Sequence, residues 1–364
     1  MQAVVQAWDG EAAQLFPRLF ADYWERFSDL QSFFPYNPWD GESYARRAAW
    51  LDQAFTGDRG ALAADLRDYQ HQLDADAAAL QQVALLAQPG TLVVVTGQQA
   101  GLLGGPLFTL YKAVTAIRLA RELGEQLGRP VVPVFWIASD DHDFDEVRRA
   151  YLRDRRGRLR ELALPGQRGR RPVGELPPPR RWLSLLREVE QALGERLHHR
   201  PVLERAEHIP ADANWADAFG RLLAGLLSRY GLVILNPMRR PLRALLRDFF
   251  PLALLRKDSI HRELAAAATR LERRGYPPAL AFDVEHSHLF LLEDGERVAL
   301  QFQDGELVDR DGRVRLSLAS ALRLMDEEPW RFSPNVVLRP LAQDKLLPTL
   351  AYVAGPGEVG YLAQ

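Results

Sequence analysis

The chain has 364 residues, 47% of them hydrophobic and 26% charged, with a formal net charge of −2 at pH 7. That length and apolar fraction predict a sizeable α/β core with insertions, or two domains, and exclude a disordered or fibrous chain. The matched charges supply no bulk field to draw the protein onto nucleic acid or anionic lipid, so neither is an expected partner.

Cysteine is absent, which removes disulfides, thiolate zinc sites and a cysteine nucleophile. Lysine occurs only at Lys112, Lys257 and Lys345, the other basic residues being arginines. The first residues, MQAVVQAWDGEAAQLF, carry Asp9 and Glu11 where a signal peptide needs a basic start and an apolar run. No apolar stretch reaches membrane-spanning length, and a cytoplasmic location is expected.

From about Glu11 to Gln88 the spacing predicts helices, through Leu15, Leu19 and Trp24 and then Leu62, Leu66 and Leu73, with a proline- and aromatic-rich break at FFPYNPWD from Phe33. TLVVVTG, from Thr91, reads as a parallel strand buried on both faces. A helix follows, with Pro106 in its first turn and a stripe of Leu107, Leu110, Tyr111, Val114, Ile117 and Leu127, from which Lys112 is displaced. VVPVFWIAS, ending at Ser139, reads as a second strand, weakened by Pro133 because proline donates no ladder hydrogen bond. These pieces form a βαβ unit, whose ligand crevice is expected outside the carboxyl ends of the strands.

After Ala150 the arginine-, glycine- and proline-rich LPGQRGRRPVGELPPPRR marks an insertion, and GLVILNP from Gly231 another buried strand. Residues 288–315 predict an antiparallel meander with turns at Asp294-Gly295, Asp304-Gly305 and Asp311-Gly312. The tail, LLPTLAYVAGPGEVGYLAQ, predicts a last strand and a glycine-rich turn. The expected organisation is a helical segment over 1–88, an α/β core over 89–150, 231–254 and 333–364, and insertions over 151–230 and 255–332.

Two segments are candidates for chemistry. The first runs from Thr96 through Gly97, Gln98, Gln99, Gly101 and Gly105, between a buried strand and a helix. Backbone N–H groups there would cradle an anion, and the paired amides offer donors and acceptors. The glycines match neither G-x-G-x-x-G nor a P-loop, and a tight turn that needs glycine for backbone reasons alone is the alternative. The second segment holds five carboxylates and one imidazole in seven residues, from Asp140 to Glu146. Their mutual repulsion calls for a substrate ammonium, a divalent metal, or the following Arg148 and Arg149.

Other candidates are less specific. Lys112 would reach a phosphate or point into water. His286 and His288 have an i, i+2 spacing that suits one face of a strand and metal ligation, though with no third ligand an ordinary pair of histidines is favoured and no metal site is assigned. Asn335, Arg339 and Gln343 recur every fourth residue, but Pro340 argues against a continuous helix. Gly355, Gly357 and Glu358 form a turn able to present a carboxylate and backbone N–H groups to a ligand.

Together TGQQAGLLGGPLFTLYKA, PVFWIASDDHDFDE, FSPNVVLRPLAQD and AYVAGPGEVGYLAQ resemble the bacillithiol-biosynthesis cysteine-adding enzymes, the BshC cysteine ligases. The resemblance implies a Rossmann-like core related to nucleotidyltransferases and class I synthetases, and a reaction joining L-cysteine to the amine of glucosaminyl-malate. It places nucleotide at the glycine-glutamine turn, with ATP, accompanied by magnesium, as the expected cofactor. The resemblance implies that family members continue beyond the match to Gln364 into a C-terminal coiled coil linked to dimerisation, so a homodimer is an expectation carried by a part that would follow Gln364. SDDHDFDE also departs from the family at Ser139 and Asp140, where Gly-Glu is expected, which gives Asp141, His142 and Asp143 more weight than Asp140.

A ligase of this kind must activate a carboxyl group, and without cysteine it uses no thioester on itself. The expected roles are phosphate binding by residues 97–105, ammonium binding by Asp141 or Asp143, and proton removal by His142. The malate carboxylates would want arginine partners, with Arg339 preferred. The alternatives are a nucleotidyltransferase acting on another small acceptor and a non-catalytic binding module.

Overall fold

A computed structural model describes residues 16–166, 169–178, 182–194, 204, 209–210, 213–281 and 283–364. The residues read for a signal peptide and the predicted helix start at 11–15 lie outside these. Among the described residues eleven strands follow one another: β1 Leu92–Gln98, β2 Val131–Ile137, β3 Arg149–Arg153, β4 Leu159–Ala163, β5 Val233–Leu235, β6 His286–Glu293, β7 Glu296–Gln303, β8 Glu306–Asp309, β9 Arg315–Ser317, β10 Phe332–Pro334 and β11 Thr349–Val353. Contacts divide the chain into an α/β unit (51–254 with 285–353) and a helical unit (1–50 with 255–284 and 354–364). The predicted insertion at 255–332 is therefore split, its helix Lys257–Arg273 going to one unit and its strands, with the helix Leu318–Glu327, to the other, and the predicted helical segment 1–88 divides after residue 50.

In the α/β unit, β11, β1, β2 and β5 form a parallel sheet in that order. Every residue of β2 and β5, and β1 as far as Gly97, is buried, as continuously apolar strands covered on both faces must be. Pro133 is accommodated by geometry. Ala138 donates its N–H to Gln98 of β1, and amides alternate along a strand, so position 133 faces β5, where pairing begins only at Val134.

The crossover helix Leu107–Leu127 packs on β1, β2 and β11. Its buried stripe is Thr109, Lys112, Ala113, Ala116, Ala120 and Leu123, whereas Leu107, Tyr111 and Val114 are exposed. The predicted stripe was rotated because it followed bulk. Small alanines at helical spacing let the helix lie close to the sheet and carry Lys112 inward with them. The parallel sheet, its crossover helix and the helices Arg59–Gln72 and Ala77–Leu86 beside β5 make the expected Rossmann-like core.

Strand β5 has only three residues, and a side chain completes its edge. The buried Gln70 amide donates to the Ile234 carbonyl at 2.7 Å and accepts the Ile234 N–H at 3.0 Å. Both backbone groups at the sheet's edge are thus satisfied by a helix.

The predicted meander is a five-stranded antiparallel sheet in the order β10-β6-β7-β8-β9. Asp294-Gly295 and Asp304-Gly305 turn with positive φ at both residues (48° and 76°, 53° and 83°), as two-residue hairpins require. The helical unit packs Leu19, Leu30, Leu271, Tyr276 and Val359 together. Its aromatic break is covered edge-on, with Tyr23 4.8 Å from Phe34 and 5.4 Å from Trp39 between ring centroids.

Replacing Gln70 with leucine strands a buried N–H and a buried C=O, and is expected to cost about 2–4 kcal/mol of unfolding free energy. Urea denaturation checks this; a loss under 0.5 kcal/mol on that same scale would show that Gln70 does not hold the edge.

Candidate active site

Parallel registry brings the carboxyl ends of the strands level, with Thr96 opposite both Phe135 and Val353 and Gly97 opposite Trp136. Thr96 is buried, and its hydroxyl donates to Val353 O at 2.9 Å, tying β1 to β11. Gly97 has no room for a side chain, since a Cβ there would lie 2.8 Å from Trp136 O. Its carbonyl accepts the buried Lys112 ammonium at 2.6 Å, and Gln98 Oε1 lies 3.4 Å from the same Nζ. Lys112 neither points into water nor stands at the tip of the loop.

Beyond Gln99 the chain turns through the short helical turn Leu102–Gly104 with three consecutive left-handed residues, Leu103, Gly104 and Gly105. A Cβ on Gly101 would meet Gly105 Cα at 2.5 Å, so the backbone reason for these glycines is present. Trp215 secures the turn by donating its indole N–H to Ala100 O at 2.5 Å. On the Trp215 side only about 10 Å³ of open space remains, between the turn and Ala218, Phe219 and Leu222. Thr109, below Gly105, has a buried hydroxyl without a hydrogen-bond partner among the described residues.

A cationic corner forms where β1 and β11 end. The Arg339 guanidinium lies 5.0 Å from the Tyr352 ring centroid and 6.0 Å from that of Trp136. Lys112 Nζ lies 6.0 Å from the same Tyr352 ring. Arg339 opens the helix Arg339–Leu346, with Pro340 tolerated in its first turn, and donates to Gln343 Oε1 at 2.9 Å. Asn335 precedes that helix instead of continuing its face. Its Oδ1 accepts the N–H groups of Val337 and Leu338, and its amide nitrogen is 3.0 Å from His288 Nδ1.

The acidic run is dispersed among different partners. Asp140 pairs at 3.4 Å with Arg243, a fully buried guanidinium whose pKa burial pushes down to about 10. Gln99 Nε2 donates to Asp141 at 2.7 Å and also to Glu146. Asp143 caps the short helix Phe144–Val147 by accepting the Glu146 N–H. Arg148 takes Asp145, while Arg149 pairs with Glu161 instead. Asp141 O accepts the Val173 N–H at 2.7 Å, and Ser139 O that of Gly174 at 2.8 Å, so the insertion after β4 returns to brace the run. Among the described residues no group of histidines and carboxylates converges to hold a metal.

His142 is half-buried, with Nδ1 4.0 Å from Asp141 Oδ1 and its ring 6.1 Å from Phe290. Burial and then the charge of Arg297 depress its pKa below the ordinary 6.5, against the opposing pull of Asp141. The imidazole is therefore neutral near pH 7 and able to accept a proton.

His286 and His288 meet edge-on with ring centroids 6.5 Å apart, but not in regular strand alternation. The β6 register shifts between His286 and Phe290, and His288 has φ of 61°. The last candidates, Gly355, Gly357 and Glu358, belong to the helical unit. They begin the helix Pro356–Leu362, where Glu358 accepts the Gly355 N–H at 2.5 Å. The predicted open turn is a capped helix start. Tyr352, Trp136, Arg243 and Arg297 were not legible as site residues, because tertiary packing alone brings them to the strand ends.

The sequence matches the family described as bacillithiol biosynthesis BshC, N-terminal Rossmann-like domain, over residues 9–364. The chain belongs to the BshC family. It is 36% identical over 359 residues to a protein of Desulforamulus reducens, covering 98% of this chain and 65% of that one. It is 41% identical over 339 residues to a protein of Symbiobacterium thermophilum (88% and 60% covered) and 37% identical over 345 residues to one of Halalkalibacterium halodurans (94% and 63%). Each of the three bears the name "Putative cysteine ligase BshC". The chain thus spans 60–65% of the length of these BshC relatives.

Because His142 has a lower pKa folded than unfolded, the unfolded chain binds the proton first as pH falls, and this residue costs stability below its unfolded value of about 6.5. An NMR titration should place the His142 midpoint below 6.5, and Arg297→Gln should raise it. A midpoint at or above the ordinary value, unmoved by that substitution, would contradict the account.

Proposed function

We propose that this protein is a cysteine ligase that joins the carboxyl group of L-cysteine to the free amine of glucosaminyl-malate, in the last step of bacillithiol synthesis, with ATP activating the carboxyl group. Family membership supports the ligase class. The observation that carries the reading is the separation of charge across one set of strand ends. Lys112 and Arg339 meet at Tyr352 on one side, while Asp141 and Glu146 gather on Gln99 on the other.

Amide formation from a free carboxylate is uphill in water, and ATP supplies the leaving group that makes the acyl carbon electrophilic. The residues present fit a nucleotide's anionic end. Arg339 and Lys112 provide positive charge, and the buried Thr109 hydroxyl beside Gly105 retains an unused donor. Asp141 and Asp143 attract the ammonium of cysteine and orient its carboxyl group. His142, neutral near pH 7, takes the proton from the acceptor's ammonium and frees the lone pair that forms the C–N bond.

Mass spectrometry of this chain with glucosaminyl-malate, L-cysteine, ATP and magnesium is expected to show the cysteine amide, and to show none when ATP is omitted. His142→Ala should slow product formation by about 10²–10⁴-fold, Arg339→Ala should raise the ATP requirement, and Lys257→Gln should change neither. Undiminished turnover by His142→Ala would remove its role as base.

A further inference from the structure

A cavity of about 290 Å³ opens on the antiparallel sheet, with His142, Arg170, His286, Phe290, Arg297 and Arg310 on its walls and no aspartate or glutamate among the described residues that line it. Arg297 is buried and lies flat over Phe290, its guanidinium carbon 3.7 Å from the ring centroid. Two of its nitrogens are fixed, Nε to Ser333 Oγ at 3.0 Å and Nη2 to Pro334 O at 2.9 Å. Among the described residues Nη1 makes no hydrogen bond, and Arg310 makes neither a hydrogen bond nor an ion pair. Arg170 is held by Asp311 at 3.1 Å, and its carbonyl accepts the Arg297 N–H at 2.8 Å.

Asp311 pairs with Arg170, and Asp140 and Asp141 act on Arg297, but no acid shares the lining and Arg310 is unpaired among the described residues, so three guanidiniums around one cavity still repel one another and lose hydration unless an anion enters. A second cavity, of about 380 Å³, provides the contrast. It too is rich in arginine, but Glu293 and Glu327 line it, Arg331 pairs with Glu293, Arg313 with Glu296 and Arg315 with Glu306. Its charge is largely neutralised from within.

We propose that the cavity between His142 and Arg310 binds a small dicarboxylate, gripped by Arg170, Arg297 and Arg310. Guanidinium forks match carboxylate and phosphate alike, but the strand-end corner at Lys112 and Arg339 already takes the phosphates in the function proposed above. The inference rests on that reading for the carrier of the dianion, the malate end of the acceptor. Held there, the acceptor has its anionic end anchored in a cavity that His142 itself lines, beside the group that takes its ammonium proton.

The test uses the 364-residue chain with malate, inorganic phosphate and pyrophosphate as separate probes, following heat of binding and the His142 ring resonances. Malate is expected to bind saturably and to raise the His142 midpoint, because an anion offsets the charges of Arg297 and Arg170 that lower it. Arg170→Gln and Arg310→Gln should each weaken malate binding about tenfold or more, and Arg323→Gln, in the other cavity, should leave it unchanged. No malate binding, binding indifferent to both substitutions, or a preference for phosphate or pyrophosphate would overturn the assignment. Malate binding without amide product would refute the ligase reading and leave the dicarboxylate site standing. Amide product with an unaltered KM for glucosaminyl-malate in both variants would do the reverse.

Discussion

The hydrogen bond from the buried Lys112 ammonium to the Gly97 carbonyl, at 2.6 Å, is the constraint on which the strand-end site depends. It joins the last residues of β1 to the crossover helix, and the turn between them has its two ends fixed by this contact. A charged donor of this kind contributes about 1.5–3 kcal/mol net. It is possible only because the helix presents alanines to the sheet and because position 97 lacks a Cβ, which would collide with Trp136 O. Packing of small residues, a buried cation and a glycine at the strand end are therefore one requirement seen three ways.

The dense acidic run illustrates the same economy. Adjacent carboxylates raise one another's pKa unless each finds its own compensation. Here Asp140 goes to a buried arginine, Asp141 and Glu146 to one glutamine amide, Asp143 to a helix N-terminus and Asp145 to Arg148. Dispersal in different directions gives each of the five carboxylates a partner beside a neutral imidazole. His142 is then governed less by its acidic neighbours in sequence than by burial and by Arg297, which stands 155 positions later in the chain.

Much of this was legible in the sequence. Continuous β-branched runs identified β1, β2 and β5, and Asp-Gly pairs identified the hairpins. The dipeptide Gln98-Gln99 and the run from Asp141 to Asp143 stand out in the sequence because each follows a buried strand, and the structure brings Gln99 and Asp141 together. What failed did so for identifiable reasons. The face of the crossover helix was misjudged because alanines carry a weak apolar signal, and Lys112 with it. The cost of Pro133 depends on which neighbour it faces, and only the sheet order reveals that pairing with β5 begins one residue later. The alternation of His286 and His288 was broken by a register shift, and the turn at Gly355 proved to be a helix start capped by Glu358. The arginines that shape the electrostatics, Arg243 and Arg297, were indistinguishable from the many others until packing selected them.

The central claim is that the carboxyl ends of the parallel strands form one site with a phosphate-binding corner and an ammonium-binding corner. A crystal structure of the chain with a non-hydrolysable ATP analogue and L-cysteine tests it most directly. The account predicts nucleotide phosphates within hydrogen-bond distance of Arg339 and the turn at Gly105, and the cysteine ammonium on Asp141 or Asp143. Nucleotide and cysteine both bound away from these strand ends would contradict it.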